Sequence, residues 1–425
     1  MLSFNYTITG NTSSPETLDV ALTLIEPSGV KFAPHPVYFD VQSTGGNYNR
    51  GDFTEFAKSD TVTAAPDNTM RHSSVYVNTG DTGQRMNDRV YDGCHRDKSR
   101  ADGVFAYHVY DRPDTYTVSA RQIDLDGNHG TSTETTFTVV DPVAYFTAAQ
   151  TIVVAPDGDF AGAPHEATLP ASNRVSTIDA ARTRFRTALA AQGNVRIVLK
   201  RGFTYSGMLN SIRADDCTGD TLLIDAWGTG ANPVYDMSND EYSGDRAFVR
   251  LTGNNALSLR INNVDVTGNW LSDASTPSTP AGVNYDALPF LTDNNGTQRL
   301  RWMVWSGCTF SKFQSTWVHT NGGNSRCADN ERCHQIFNDC HWEHCGDYMG
   351  LAVANSGGEA LALLGCKQTP HPNQESGSLG RNSMAPENYS NNSHASFRLS
   401  LIHISEPTRP LYISYAVFCL KKKKT

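Results

Sequence analysis

Four short segments carry the side chains best suited to chemistry. They run from Ile261 to Val266 (INNVDV), Trp305 to Phe310 (WSGCTF), Phe337 to Trp342 (FNDCHW) and Leu363 to Gln368 (LLGCKQ). Each sets small or polar residues before a small apolar one, then a polar residue, then a large one. Side chains alternate across a strand, so if Val264, Cys308, Cys340 and Cys366 stack inward, Val266, Phe310, Trp342 and Gln368 also point inward. Asp265, Thr309, His341 and Lys367 then face outward. Two residues further on, Thr267, Ser311, Glu343 and Thr369 share that outer face. Neighbouring strands lie about 4.8 Å apart, which would let His341 and Lys367 meet one substrate. The segments that follow add His319 and Asp347. The run from His394 to Arg398 (HASFR) is expected to turn both of its ends to the same side.

Such a face suits β-elimination on a uronate polymer. That reaction needs a positive group beside the carboxylate, a base for the C5 proton and an acid for the leaving oxygen. Lys367, His341, His319, His394 and Arg398 are the candidate catalytic residues, and Asp265, Glu343 and Asp347 the candidate substrate-binding ones. A base working near neutral pH needs a pKa near there, which histidine has and a crowded lysine can acquire. No residue set demands a cofactor; calcium is the cation that could serve the carboxylate-neutralising role. The competing reading of any one of these residues is an ordinary polar face.

Two regions must position them. Residues 1–141 carry short alternating runs separated by turn residues. In the clearest, Thr115, Thr117 and Ser119 alternate with Tyr116, Val118 and Ala120, the period of a half-buried strand. Asp124 to Asn128 (DLDGN) supplies a hairpin turn, and Thr133 to Val139 the return strand. Residues 142–150 form a linker. Residues 151–398 open on an apolar strand, Thr151 to Ala155. A helix follows with a capping box over Ser176 to Asp179 and with Ile178, Ala181, Phe185 and Leu189 on one face, closed by Gly193. Val195 to Leu199 reads as a strand buried on both sides. From Ile261 onward a fixed local pattern recurs at irregular spacing, the mark of a solenoid whose loops vary while its coils do not. The expected architecture is all-β: an N-terminal β-sandwich, then a right-handed single-stranded parallel β-helix with an N-terminal cap helix.

Each region resembles a known family. His108 to Tyr110, Pro113, Tyr116 to Val118, Asp124, Asp126 to Asn128 and Thr136 to Val139 are similar to the polycystic-kidney-disease (PKD) type of immunoglobulin-like domain. The family's W-x-F-G-D core is represented only by Val75, Tyr76, Gly80 and Asp81. The resemblance implies a spacer or carbohydrate-proximal module. The cap helix, Leu199 to Tyr205 (LKRGFTY) and Trp227 to Val234 (WGTGANPV) resemble the opening of the pectate-lyase-like parallel β-helix superfamily. That resemblance implies action on extracellular polysaccharide, with a lyase preferred. Inverting hydrolases of that superfamily carry clustered Asp followed by G-H-G and R-x-K. Here Asp215 and Asp216 lie too early, and the nearest match to G-H-G, Asn128 to Gly130, sits in the first region. A uronate epimerase shares the proton-abstraction step, and a glycan-binding adhesin or fibre needs no chemistry at all; both stay open.

Cysteines add a second question. Cys308, Cys340 and Cys366 would form a buried column of packed thiols rather than disulfides. Cys327 and Cys333 are the preferred disulfide pair. Cys327, Cys333, His334, Cys340, His341, His344 and Cys345 are dense enough for a metal, but no C-x2-C pair occurs and zinc is disfavoured.

Composition bounds the partners. The chain has 425 residues, 38% apolar and 19% charged, which is globular rather than fibrous or disordered. No apolar run approaches the roughly 20 residues needed to span a bilayer. A net charge of −9 argues against nucleic acid and anionic membranes as general partners. Leu399 to Arg409 (LSLIHISEPTR) and Ile413 to Leu420 (ISYAVFCL) read as translated sequencing adapter, so residues 399–425 are expected to be an artefact tail. That stretch holds five of the 35 basic and one of the 44 acidic residues, so the remainder carries −13. Met1 to Gly10 lacks the features of a secretory signal. An export signal upstream, and an extracellular or cell-surface location, is the expectation.

Overall fold

The structure, a computed structural model, describes residues 19–27, 31–44, 74–84, 98–102, 105–123, 129–185, 194–207, 209–213, 221–237, 247–252, 256–268, 288–292, 299–313, 318–320, 334–343, 360–369, 394–398 and 401–402. These residues are almost wholly β, in two antiparallel and three parallel sheets.

The antiparallel sheets are N-terminal. One joins β1 (Asp19–Ile25), β2 (His35–Thr44) and β5 (Phe105–Tyr110) in that order. The other runs β4 (Arg100–Asp102), β3 (Ser74–Asn78), β6 (Asp114–Ile123), β7 (His129–Thr131), with β8 (Thr135–Val139) also paired to β6. The alternation read from β6 is present: Tyr116, Val118 and Ala120 are buried while Thr115 and Thr117 are exposed. Those three pack with Val37, Phe39, Tyr110, Phe137 and Val139 into one core. The DLDGN turn lies outside the described residues.

The parallel sheets follow. The largest takes β10 (Arg174–Val175), β9 (Thr151–Val154), β11 (Val195–Lys200), β14 (Thr221–Trp227), β17 (Ala256–Asn262), β20 (Arg299–Ser306), β23 (His334–Asn338), β25 (Ala360–Leu364) and β27 (His394–Arg398). The second has seven strands: β12 (Thr204–Tyr205), β15 (Val234–Asp236), β18 (Asp265–Thr267), β21 (Thr309–Ser311), β24 (His341–Glu343), β26 (Lys367–Thr369) and β28 (Leu401–Ile402). The third has four: β13 (Leu209–Arg213), β16 (Ala247–Thr252), β19 (Leu288–Thr292) and β22 (Val318–Thr320). From β11 to β23 the chain visits the three sheets in rotation, one strand of each per coil. β28 lies within the stretch read as adapter and pairs with β26, Lys367 opposite Leu401.

Inward side chains from these sheets make a single core: Ile197, Leu199, Ile224, Leu259, Ile261, Met303, Trp305, Phe310, Phe337, Trp342 and Leu363 are all buried in it. β11 is buried on both faces, as its apolar run implies. Helix α1 (Ile178–Arg184) covers one end, with Ile178, Ala181 and Phe185 buried in the core. Its cap differs from the expected one. The N-cap is Thr177, whose hydroxyl accepts from the Ala180 amide at 3.2 Å, rather than Ser176 paired with Asp179. Thr177 takes the extended conformation an N-cap needs, one residue further on. Leu189 and Gly193 lie outside the described residues.

The recurring segments form the corner between the nine- and seven-stranded sheets. Each corner has one residue in the left-handed region: Asn263, Gly307, Asp339 and Gly365, with φ of 54°, 64°, 51° and 63°. Glycine reaches that region without strain, and Asn and Asp tolerate it best among the others, which is why only these types occur there. Ladders of amides tie the corners together, Asn263 N to Ser306 O at 2.8 Å, Gly307 N to Asn338 O at 2.9 Å and Asp339 N to Leu364 O at 2.7 Å.

The stretch read as a linker is ordered by contacts. Pro142–Tyr145 makes one helical turn capped by Asp141, and Phe146 is buried with Phe32 and Leu223. The antiparallel unit itself lies on the outer face of the nine-stranded sheet. Tyr38, Tyr107 and Val109 pack with Trp302, Val304, Ile336, Ala362 and Leu364. The Tyr107 hydroxyl bonds His334 Nδ1 at 2.7 Å, and the His334 ring stacks on Trp302 at 4.1 Å. Arg260, 1% exposed, donates from Nη1 to the carbonyls of Phe32 (2.8 Å) and Pro34 (3.0 Å) and lies over the Phe32 ring. The Lys98 ammonium sits between Asp111 and Asp339.

Candidate functional site

The outer face of the seven-stranded sheet gathers most of the described residues picked out for chemistry. In one row, Val234 lies opposite Asp265, Thr309 opposite His341, and His341 opposite Lys367. In the next, Asp236 meets Thr267, Thr267 meets Ser311, Ser311 meets Glu343 and Glu343 meets Thr369. Between the rows Tyr235, Val266, Phe310 and Trp342 point into the core. On β18, β21 and β24 the burial runs intermediate, buried, intermediate, so Asp265, Thr267, Thr309, Ser311, His341 and Glu343 are each half-buried.

Three other candidates fall elsewhere. His319 is on β22, in the four-stranded sheet, opposite Leu291. His394 and Arg398 are on β27 of the nine-stranded sheet, opposite Ala360 and Leu364. Their backbone register continues that of His334 and Asn338. The three residues thus belong to other sheets than His341 and Lys367, where the spacing led to the expectation of one shared side. The reason is that strands within one coil belong to different sheets, which face different directions. Asp347 lies outside the described residues, as do Cys327 and Cys333.

The thiol column sits just inside the corner. Cys308, Cys340 and Cys366 are buried thiols outside any disulfide. Each thiol donates to a carbonyl of the preceding coil: Cys308 to Ile261 O at 3.7 Å, Cys340 to Trp305 O at 3.4 Å and Cys366 to Phe337 O at 3.3 Å. Burial, together with the two neighbouring thiols, pushes the Cys340 pKa well up, so the thiol stays protonated.

Asp265 is differently engaged from the other row residues. Its Oδ1 accepts from Asn232 Nδ2 at 3.1 Å and from the Thr309 amide at 2.8 Å. Burial raises its carboxyl above the ordinary aspartate value, while those hydrogen bonds pull the other way. Asn232 Nδ2 also reaches Gly307 O at 3.1 Å, and Asn232 Oδ1 accepts from Arg201 Nη1. Asp265 is thus a brace between coils as much as a surface group. Arg201 and Asn232 are not among the residues that the sequence marked for chemistry. They stand inside the LKRGFTY and WGTGANPV segments, and the signal was that each of those segments puts a polar side chain at a corner.

Among the described residues, no group of three or more His, Cys, Asp or Glu could hold a metal ion. Asp265 and Glu343 stand in different rows two strands apart, which does not make a calcium cradle. No described helix is long and apolar enough to cross a membrane. No protein family, curated protein or solved structure matches the chain.

Proposed function

We propose that the chain is a secreted, polysaccharide-active protein built as a PKD-like β-sandwich on a right-handed parallel β-helix, and that it cleaves a uronate polymer by β-elimination. The rotation of strands through three parallel sheets supports the β-helix, and the two antiparallel sheets around one core support the sandwich. The observation that carries the activity is the pairing of His341 with Lys367 across adjacent strands of the seven-stranded sheet, where both are half-buried.

On this reading Lys367 lies beside the uronate carboxylate and draws charge from C5. His341 takes the C5 proton. The C4–O bond breaks, its electrons leave with the oxygen, and a C4=C5 double bond remains. The departing oxygen takes a proton from a neighbouring acid or from water. Each proton transfer by a placed side chain is worth about 100-fold or more. No step passes through calcium. His319, His394 and Arg398 have no part in it.

The test is to incubate the protein with polygalacturonate, alginate and a glycosaminoglycan and follow unsaturated uronate by its ultraviolet absorbance. Product is expected from one of them, and His341→Ala and Lys367→Ala each lower its rate by about 100-fold or more. Wild-type rates in both variants would remove the site. Retention of polymer without product would identify a glycan-binding protein instead.

A further inference from the structure

We infer that Arg201 is a distal carboxylate clamp on the same polymer-binding face, a specificity-determining residue that selects long uronate chains; the inference rests on the reading above. Three observations place it. Arg201 is partly exposed, and its Nη1 donates to Asn232 Oδ1. Asn232 is in turn fixed through its Nδ2 to Asp265 Oδ1 (3.1 Å) and Gly307 O (3.1 Å), so the chain Arg201–Asn232–Asp265 spans three successive coils. Asp265 accepts from the amide of Thr309, whose strand neighbours are His341 and then Lys367. One continuous polar line therefore joins Arg201 to the proposed reacting pair.

The chemistry of the line matters. A guanidinium oriented by one hydrogen bond keeps its remaining donors for a second partner, and its fork matches a carboxylate. The chain as a whole is acidic, at −9, and Arg201 sets a positive charge close enough to Asp265 to favour its ionised form. Arg201 precedes β12 and His341 opens β24, four strands further along the sheet order. At about 4.8 Å per strand that is about 19 Å, a span only an extended oligosaccharide can bridge. A short oligomer seated at His341 and Lys367 cannot touch Arg201; a polymer can.

The experiment compares wild type with Arg201→Gln and Asn232→Ala in the full chain, after circular dichroism shows each to be folded. Substrates are polygalacturonate or alginate, whichever is cleaved, and oligomers of it too short to cover about 19 Å. Arg201→Gln is expected to raise KM on the polymer about threefold, with kcat held, as for an exposed ion pair. The excess should fade in high salt, and KM on the short oligomers should match wild type. Asn232→Ala, which leaves the charge but releases it, should show a smaller rise of the same kind. An unchanged polymer KM in Arg201→Gln overturns the clamp, and so does an equal rise on short oligomers. If neither polymer yields product, affinity electrophoresis in gels of the two polymers decides. Retardation weakened by Arg201→Gln keeps the clamp while the lyase falls, and retardation equal in both proteins, or none in either, overturns the clamp as well.

Discussion

Asp265 is held by two donors of its own protein, and this fixes what its substitution should do. Its folded-state pKa is raised, chiefly by burial. A raised pKa means that its contribution to stability is present below the unfolded value and lost as pH rises through the folded one. Asp265→Asn keeps an acceptor for Asn232 and Thr309 without the buried charge. Its melting temperature should equal or exceed wild type at neutral pH, with the difference vanishing below the ordinary carboxylate range. Asp265→Ala removes the acceptor and strands two donors, which should cost about 1–3 kcal/mol in denaturant titration. The thiols give a second residue-scale test. Cys340 is raised well above 9.0, so folding stability should fall in alkali beyond that value, where unfolded thiols ionise and the buried one cannot. Cys308, Cys340 and Cys366 should ignore a disulfide reagent in the native state and react as the chain unfolds. Prompt reaction of all three would contradict their burial.

At the scale of the element, the corner between sheets governs the pattern. Asn263 sits at φ 54° where Gly307 and Gly365 stand in later coils. Asn263→Gly should be close to neutral, and Asn263→Val should cost about 1–2 kcal/mol by thermal melting, because a branched side chain resists the left-handed region. Gly268 makes the second corner, where an added Cβ would lie 2.5 Å from the Lys312 carbonyl oxygen and 2.8 Å from the Phe313 ring. Gly268→Ala must move backbone, and should lose about 1–3 kcal/mol. The same corners explain what was readable beforehand. A fixed pattern of polar, small, polar and large residues set the register of Asp265, Thr309, His341 and Lys367, because one residue of slip would have turned Phe310 and Trp342 outward. Nothing comparable marks β22 or β27. Their segments lie after loops of unequal length, so the sheet that the strands of His319, His394 and Arg398 join was a tertiary choice with no local signature. Arg201 and Asn232 were visible as residues but not as partners, since 31 positions separate them.

The whole molecule turns on the contact between the antiparallel unit and the nine-stranded sheet. Arg260 is its pivot: burial lowers its pKa to about 9, so it is still charged at neutral pH, and the carbonyls of Phe32 and Pro34 both accept from its Nη1. Arg260→Met leaves two carbonyls without a donor. It should cost about 3 kcal/mol and split a single calorimetric transition into two, one for each region. A single, unshifted transition would show that the contact contributes nothing. The outer row of Trp302, Val304, Ile336, Ala362 and Leu364 could not be told from an inner row by periodicity alone, because both faces of those strands are apolar.

That arrangement bears on anyone who dissects the protein. A chain begun at Thr151, the natural place to cut between regions, would carry a bare oily wall where Tyr38, Tyr107 and Val109 now rest. Such a wall invites self-association, and an insoluble fragment would say nothing about whether the coils can fold or whether their far side can hold a sugar.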